Sequence, residues 1–168
     1  MSAQAYEPVR KLDGSDALEA FDCGQVALNQ FLQRFALTSQ KSHSAMTYVC
    51  CHSGQVVGFY SLVVGSVAAA SAAPRIVKGM PAYPVPVMIL ARLAVDLQHQ
   101  RAGLGKALLK DALIRTAQAA NIAGIRALLV HAKDELARQW YSQWEFEPSA
   151  TDPFHLFLLL KDLKAMLP

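Results

Sequence analysis

Between Gly24 and Thr38 the apolar residues Leu28, Phe31, Leu32, Phe35 and Ala36 recur at helical spacing. That predicts a helix with one buried face and Asp22 near its start as a candidate N-cap. Ahead of it, YEPVRKL predicts a short first strand and the acidic DGSDALEAFD a turn with helical potential. The β-branched and aromatic runs AMTYVCC and QVVGFYSLVVGSV meet at Ser53 and Gly54, which predicts a hairpin. Residues 68 to 86 mix small residues with prolines and read as a long, partly irregular connection. A strand pattern at ILARLAVD then leads into a helix from Ala102 to about Ala120. One side of that helix carries Leu108, Leu109, Ala112, Leu113, Thr116, Ala119 and Ala120, and the other Lys106, Lys110, Asp111 and Gln118. The unbroken apolar run IRALLV reads as a buried strand, giving a parallel strand, crossover helix, strand unit. Asp134 can cap a short helix through Gln143, with Leu136, Trp140 and Trp144 on one face, and FHLFLLL supplies a last strand. These elements predict one α/β domain over residues 1–168.

Composition narrows the class. A content of 53% hydrophobic and 17% charged residues belongs to a packed chain, with apolar surface to spare for a second copy or another partner. The net charge of +3 hides an asymmetry. Residues 1–22 hold two basic and five acidic side chains, residues 23–143 twelve and four, and residues 144–168 two and four. A basic middle block suits a phosphate-bearing ligand or nucleic acid as well as ordinary solvated helix faces. Three cysteines, Cys23, Cys50 and Cys51, with the last two vicinal, suggest a reduced, cytoplasmic protein. His52 beside them lacks further ligands at zinc-like spacing, so no metal is expected. No apolar run approaches the roughly 20 residues of a membrane span.

The candidate chemistry lies at residues 89–107, ILARLAVDLQHQRAGLGKA. Gly103 and Gly105 at a strand-to-helix turn let backbone amides approach a ligand, and the helix end favours phosphate. The spacing matches neither a dinucleotide fingerprint nor a P-loop. It does resemble the acetyl-coenzyme A signature of the GCN5-related N-acetyltransferase (GNAT) superfamily, in which Arg/Gln-x-x-Gly-x-Gly/Ala opens the central helix, here through Gln100, Gly103 and Gly105. FDCGQVALNQFL, ARLAVD, GIRALLVHAKDE, a Trp-Tyr pair and DPFHLFLLL with a Lys-Asp-Leu ending resemble more closely one branch, the acetyltransferase toxins of bacterial toxin-antitoxin pairs. The resemblance implies the GNAT fold, a mixed sheet of about six to seven strands flanked by about four helices. It also implies acetylation of the free α-amine on aminoacyl-tRNA, which blocks translation. A ribbon-helix-helix antitoxin would restrain the protein and contact DNA in the complex, and a homodimer is expected.

By the same resemblance, amides of Leu93, Ala94 and Val95 pair with the pantetheine arm and polarise the thioester. Gln100, Arg101, Ala102, Gly103, Leu104, Gly105 and Lys106 hold the pyrophosphate. Tyr141 protonates the departing thiolate, with Trp140 as a wall of the cofactor pocket or part of the core. Arg34, Lys41, Arg75, Lys78, Arg92 and Arg138 are the candidates for gripping tRNA phosphates, Arg92 serving equally as a structural ion-pair partner. His131 reads as a core or supporting group. No Glu or His stands out as a base, and an α-amine titrating near 8 can attack directly, with water taking its proton. Two positions depart from the branch's habit: Glu145 stands in a turn where glycine is common, and Ala91 where glycine often precedes Arg-Leu-Ala-Val. Two other readings share the cofactor residues: an acetyltransferase for protein N-termini or small amines, and a non-catalytic coenzyme A-binding regulatory module.

Overall fold

A computed structural model describes residues 6–81 and 83–168. Seven strands form one mixed sheet: β1 (Arg10–Lys11), β2 (Met46–His52), β3 (Gln55–Val67), β4 (Val85–Val95), β5 (Ala127–His131), β6 (Glu147–Pro148) and β7 (His155–Leu159). Their order is β1-β2-β3-β4-β5-β7-β6. β4 and β5 run parallel, whereas β1/β2, β2/β3, β5/β7 and β6/β7 are antiparallel. The helices are α1 (Val26–Gln30), α2 (Ala36–Lys41), α3 (Pro74–Val77), α4 (Leu104–Ala119), α5 (Glu135–Ser142) and α6 (Leu160–Ala165). The chain packs as two compact units, residues 1–63 with 91–112, and residues 64–90 with 113–168.

In the first unit, β2 and β3 form the expected hairpin. Ser53 and Gly54 both take positive φ, 50° and 78°, the twist a two-residue hairpin turn needs. Both strands are buried over most of their length, and Thr47 and Ser61, each fully buried, satisfy one another at 2.8 Å. Phe59, Leu32, Phe21 and Val49 make the core of this unit, each burial contributing roughly 1.5–3 kcal/mol. The helix expected from Gly24 to Thr38 runs from Val26 to Lys41 and is interrupted at Phe31–Phe35 by a π-type turn. Asp22 does not cap it. Its carboxylate accepts from Gly24 N at 2.9 Å and Asn29 Nδ2 at 3.0 Å, and Gln25 stands at the N-cap without a side-chain bond. The acidic opening forms turns rather than a helix, because Asp16 is drawn to Arg10 at 2.7 Å and to the Asp13 amide.

In the second unit, Ala127–Val130 of β5 face Leu159–Leu156 of β7, and Val87–Leu90 of β4 face the same β5 residues. Ile76, Val85, Val87, Ala127 and Phe157 close its core. β4 begins at Val85, four residues before the expected start, because the alternation of buried Val85 and Val87 continues through Pro86, whose carbonyl accepts from Arg126 N. The irregular connection holds the short α3. Asp134 does cap α5, accepting from Ala137 N at 2.8 Å. Leu136, expected on the buried face with Trp140 and Trp144, is 77% exposed.

Two details of α4 differ from expectation. It starts at Leu104 rather than Ala102, because Gly103 takes a left-handed φ of 82° that no helix can include. Leu108, Leu109, Ala112, Leu113 and Thr116 are buried as expected, but Asp111 turns inward to accept a hydrogen bond from the Tyr60 hydroxyl.

Candidate active site

The loop between β4 and α4 is held by side chains that bind its own backbone. Asp96 accepts from Gln98 N at 2.9 Å and from Asp22 N at 3.0 Å, while its amide donates to Val57 O at 2.8 Å. Gln100 donates through Nε2 to Val95 O at 2.9 Å and Cys23 O at 3.4 Å. Gln100 thus braces the loop with its side chain, and Asp96, which the spacing alone did not single out, is the other brace. Arg101 (φ 66°) and Gly103 then swing the chain into α4, leaving residues 101–103 exposed. The first intrahelical bond is Ala107 N to Gly103 O at 3.1 Å. The amides of Leu104, Gly105 and Lys106 therefore have no carbonyl behind them within the helix. Gly105 is helical; its use is the lack of a side chain beside these donors.

The strand entering the loop has an open stretch. Among the described residues its ladder to β5 ends at Leu90↔Val130, and Ala91–Val95 run on past it. Leu93, Ala94 and Val95 lie on this part. Ala94 is buried and the other two half-buried.

Tyr141 sits near the end of α5 inside a set of rings. Trp140 is edge-on at 4.9 Å and Phe146 at 5.6 Å, and Trp140 also meets Trp144 at 4.4 Å. Trp140 therefore belongs to the wall around the phenol. The hydroxyl of Tyr141 has no hydrogen-bond partner among the described residues, and burial pushes its pKa well above that of an ordinary phenol. It remains protonated throughout the physiological range. Four residues later, Glu145 adopts φ 67°, the left-handed conformation that explains why glycine suits this turn.

The six basic candidates separate into three kinds. Arg34, Lys41 and Lys78 are exposed. Arg75 is already paired with Asp162, and Arg138 with Glu135. Arg92 forms no ion pair among the described residues. It lies over the Phe31 ring at 3.6 Å, so the ion-pair alternative gives way to a cation–π contact. His52 is half-buried, with the Tyr6 and His99 rings about it at 5.1 Å from each. Burial raises the thiols of Cys50, to about 11, and Cys51, which makes them poor nucleophiles.

The glycine-opened start of α4 and the strand that outruns its neighbour are the two parts that the sequence resemblance predicts would hold acyl-coenzyme A. Residues 43–148 match the model of the acetyltransferase (GNAT) domain. The chain belongs to the GNAT acetyltransferase family. Within the family it is 44% identical, over 96% of its own length and 97% of the relative's, to the tRNA-acetylating toxin of Mycobacterium tuberculosis. It superposes on AtaT complexed with acetyl-methionyl-tRNAfMet with a TM-score of 0.88, at 27% identity, covering 98% of this chain and 100% of that one. A tyrosine-to-phenylalanine mutant of the AtaT toxin, bound to the C-terminus of the antitoxin AtaR and acetyl-CoA, matches with a TM-score of 0.81 at 26% identity, over 97% and 98% of the two chains. These likenesses bear out the expected fold. Among the described residues no helix is long and apolar enough to cross a membrane.

Proposed function

We propose that this GNAT acetyltransferase transfers acetyl from acetyl-coenzyme A to the free α-amine of the amino acid on charged tRNA, and so arrests translation. The observation that carries the acceptor is the 44% identity, near full length, to a tRNA-acetylating toxin. Acetyl-coenzyme A supplies an activated thioester when bound, and the residues present fit it. The amides of Leu104, Gly105 and Lys106 at the start of the 16-residue α4 would hold its pyrophosphate, and a Cβ at Gly103 would meet nothing within 4 Å. The backbone of Leu93, Ala94 and Val95 offers donors along the open part of β4. Tyr141 holds the proton that a departing thiolate needs, on an oxygen with no competing partner among the described residues.

Arg34 and Arg92, on and over the π-type turn, are the phosphate-binding candidates with the least internal competition. Lys41 and Lys78 add to them, whereas Arg75 and Arg138 must first leave Asp162 and Glu135. The protein acts in the cytoplasm, where charged tRNA is found. It forms a homodimer through part of its exposed apolar surface, and a ribbon-helix-helix antitoxin restrains it and contacts DNA in the complex. AtaT bound to the C-terminus of AtaR supports that pairing.

Incubation with labelled acetyl-coenzyme A and a pool of charged tRNAs tests the reading. Label is expected on the aminoacyl group, and tRNA affinity is expected to fall as salt rises. Label found only on peptide N-termini or small amines would replace the acceptor; no transfer with cofactor binding retained would leave a binding module.

A further inference from the structure

Beside the end of the β4–β5 ladder, the second unit carries an open cavity of about 440 Å³, in the size range of ligand pockets. Its floor is apolar, made by Ile89, Leu129 and Phe157. Ser66, Ser71, His131, Asp152 and His155 add polar groups to its lining. The two histidines are cross-strand neighbours on β5 and β7, one residue beyond the last β4–β5 pair at Leu90↔Val130. Leu93, placed at the thioester in the proposed function, follows Leu90 by three residues on the same strand.

The two imidazoles are not equivalent. Their rings stack, with centroids 4.0 Å apart and 18° between planes. His155 Nε2 lies 3.4 Å from Asp152 Oδ2, an ion pair when the ring is protonated. His131 makes no hydrogen bond or ion pair among the described residues and is exposed toward solvent and cavity. Desolvation, then the facing His155, hold its pKa below the ordinary 6.5, so at pH 7 it is a neutral imidazole with an unused lone pair. The titratable groups facing it are His155 from β7 and Asp152 from the preceding turn. The walls from β3, β4 and residues 66–71 add none among the described residues.

We propose that this cavity receives the aminoacyl group of the acceptor, its side chain on the apolar floor, and that His131 is the base that takes the proton from the α-nitrogen. This rests on the proposed function and replaces water as the proton acceptor. The α-nitrogen bonds to the acetyl carbon and the carbon–sulfur bond breaks. The nitrogen's proton goes to His131, the sulfur takes one from Tyr141, and solvent returns both side chains to their starting forms.

The test follows label transfer to charged tRNA from about pH 5.5 to 8.5 for the unaltered protein, His131→Gln and Ser66→Trp, with acetyl-coenzyme A binding measured on each. His131→Gln should lower kcat by about 10- to 100-fold with acetyl-coenzyme A affinity within about twofold. In the unaltered protein log kcat should steepen from slope one, set by the amine, to slope two as His131 also protonates; the variant should keep slope one. Ser66→Trp fills the cavity from an exposed rim position and should raise KM for charged tRNA about 10-fold or more, again with cofactor binding retained. An unchanged rate and slope in His131→Gln, or an unchanged KM in Ser66→Trp, would overturn the inference while leaving the acceptor intact. If the unaltered protein labels no charged tRNA, the acceptor and this inference fall together.

Discussion

In the loop between β4 and α4 the proposed working groups are backbone amides, held in place by two polar side chains, Asp96 and Gln100. Near the end of α5 the proposed working group is one phenol, held by Trp140 and Phe146 with no hydrogen bond among the described residues. The first region is a polar scaffold whose side chains brace it, so the ligand-binding part has no side-chain identity beyond glycine. The second is an apolar setting in which the chemistry sits on one replaceable oxygen. Substitutions in the loop should therefore act on cofactor binding and stability, and substitutions at the tyrosine on turnover.

The sharpest way to break that contrast is Tyr141→Phe. It removes the proton donor and keeps the ring, so kcat should fall by about 100-fold or more while acetyl-coenzyme A still binds; steady-state transfer beside a calorimetric titration reads both. The raised phenol pKa sets the direction of the pH effect. Because Tyr141 must be protonated to act, any basic limb it imposes on the unaltered enzyme lies above the ordinary phenol value of 10. Equal losses of cofactor affinity and turnover would mean that the ring wall, not the hydroxyl, is what matters.

Gly103→Val comes next in size. At φ 82° a β-branched residue is strained even though the space for its Cβ is open, so thermal unfolding should show a loss of about 1–2 kcal/mol. Cofactor affinity should drop with it as the turn reshapes the first amides of α4, and a variant of unchanged affinity would refute the backbone cradle. The smallest expected effect is a gain. Glu145→Gly relieves the left-handed strain at φ 67° and should stabilise by about 0.5–1 kcal/mol after the entropy of the added glycine is counted. Its kcat should stay within about twofold if the aromatic wall alone positions Tyr141.

Much of this was legible in the residues. The hairpin at Ser53-Gly54, the parallel unit around α4, the Asp134 cap and the buried stripe from Leu108 to Thr116 all follow from spacing, because each depends on neighbours a few positions away. The misses share a different cause. Leu136 continues the helical periodicity of Trp140 and Trp144 but is left 77% exposed, because periodicity sets a face and not what lies against it. Asp111 lies on the polar side by spacing and turns inward because Tyr60, 51 residues earlier, offers a hydroxyl. Asp22 precedes a helix as a cap should and instead binds Gly24 and Asn29.

The site divides along the same line. Gly103, Gly105 and the strand ahead of them carry a local instruction, a turn of fixed handedness into a helix, and the resemblance of that stretch to the GNAT signature is what proposes an acyl-coenzyme A cradle there. It also determined the likeness to the acetyltransferase toxins, since many short segments agree in order. Tertiary structure alone decided which groups are free to act. Arg75 and Arg92 look alike in the chain, yet one is paired with Asp162 and the other lies unpaired over Phe31. His131 and His155, 24 residues apart, become a stacked pair only when β5 and β7 align, and that alignment gives Asp152 to one ring and leaves the other a lone pair facing a cavity. Charge and hydrogen bonding depend on distances across the sheet, which no local pattern encodes.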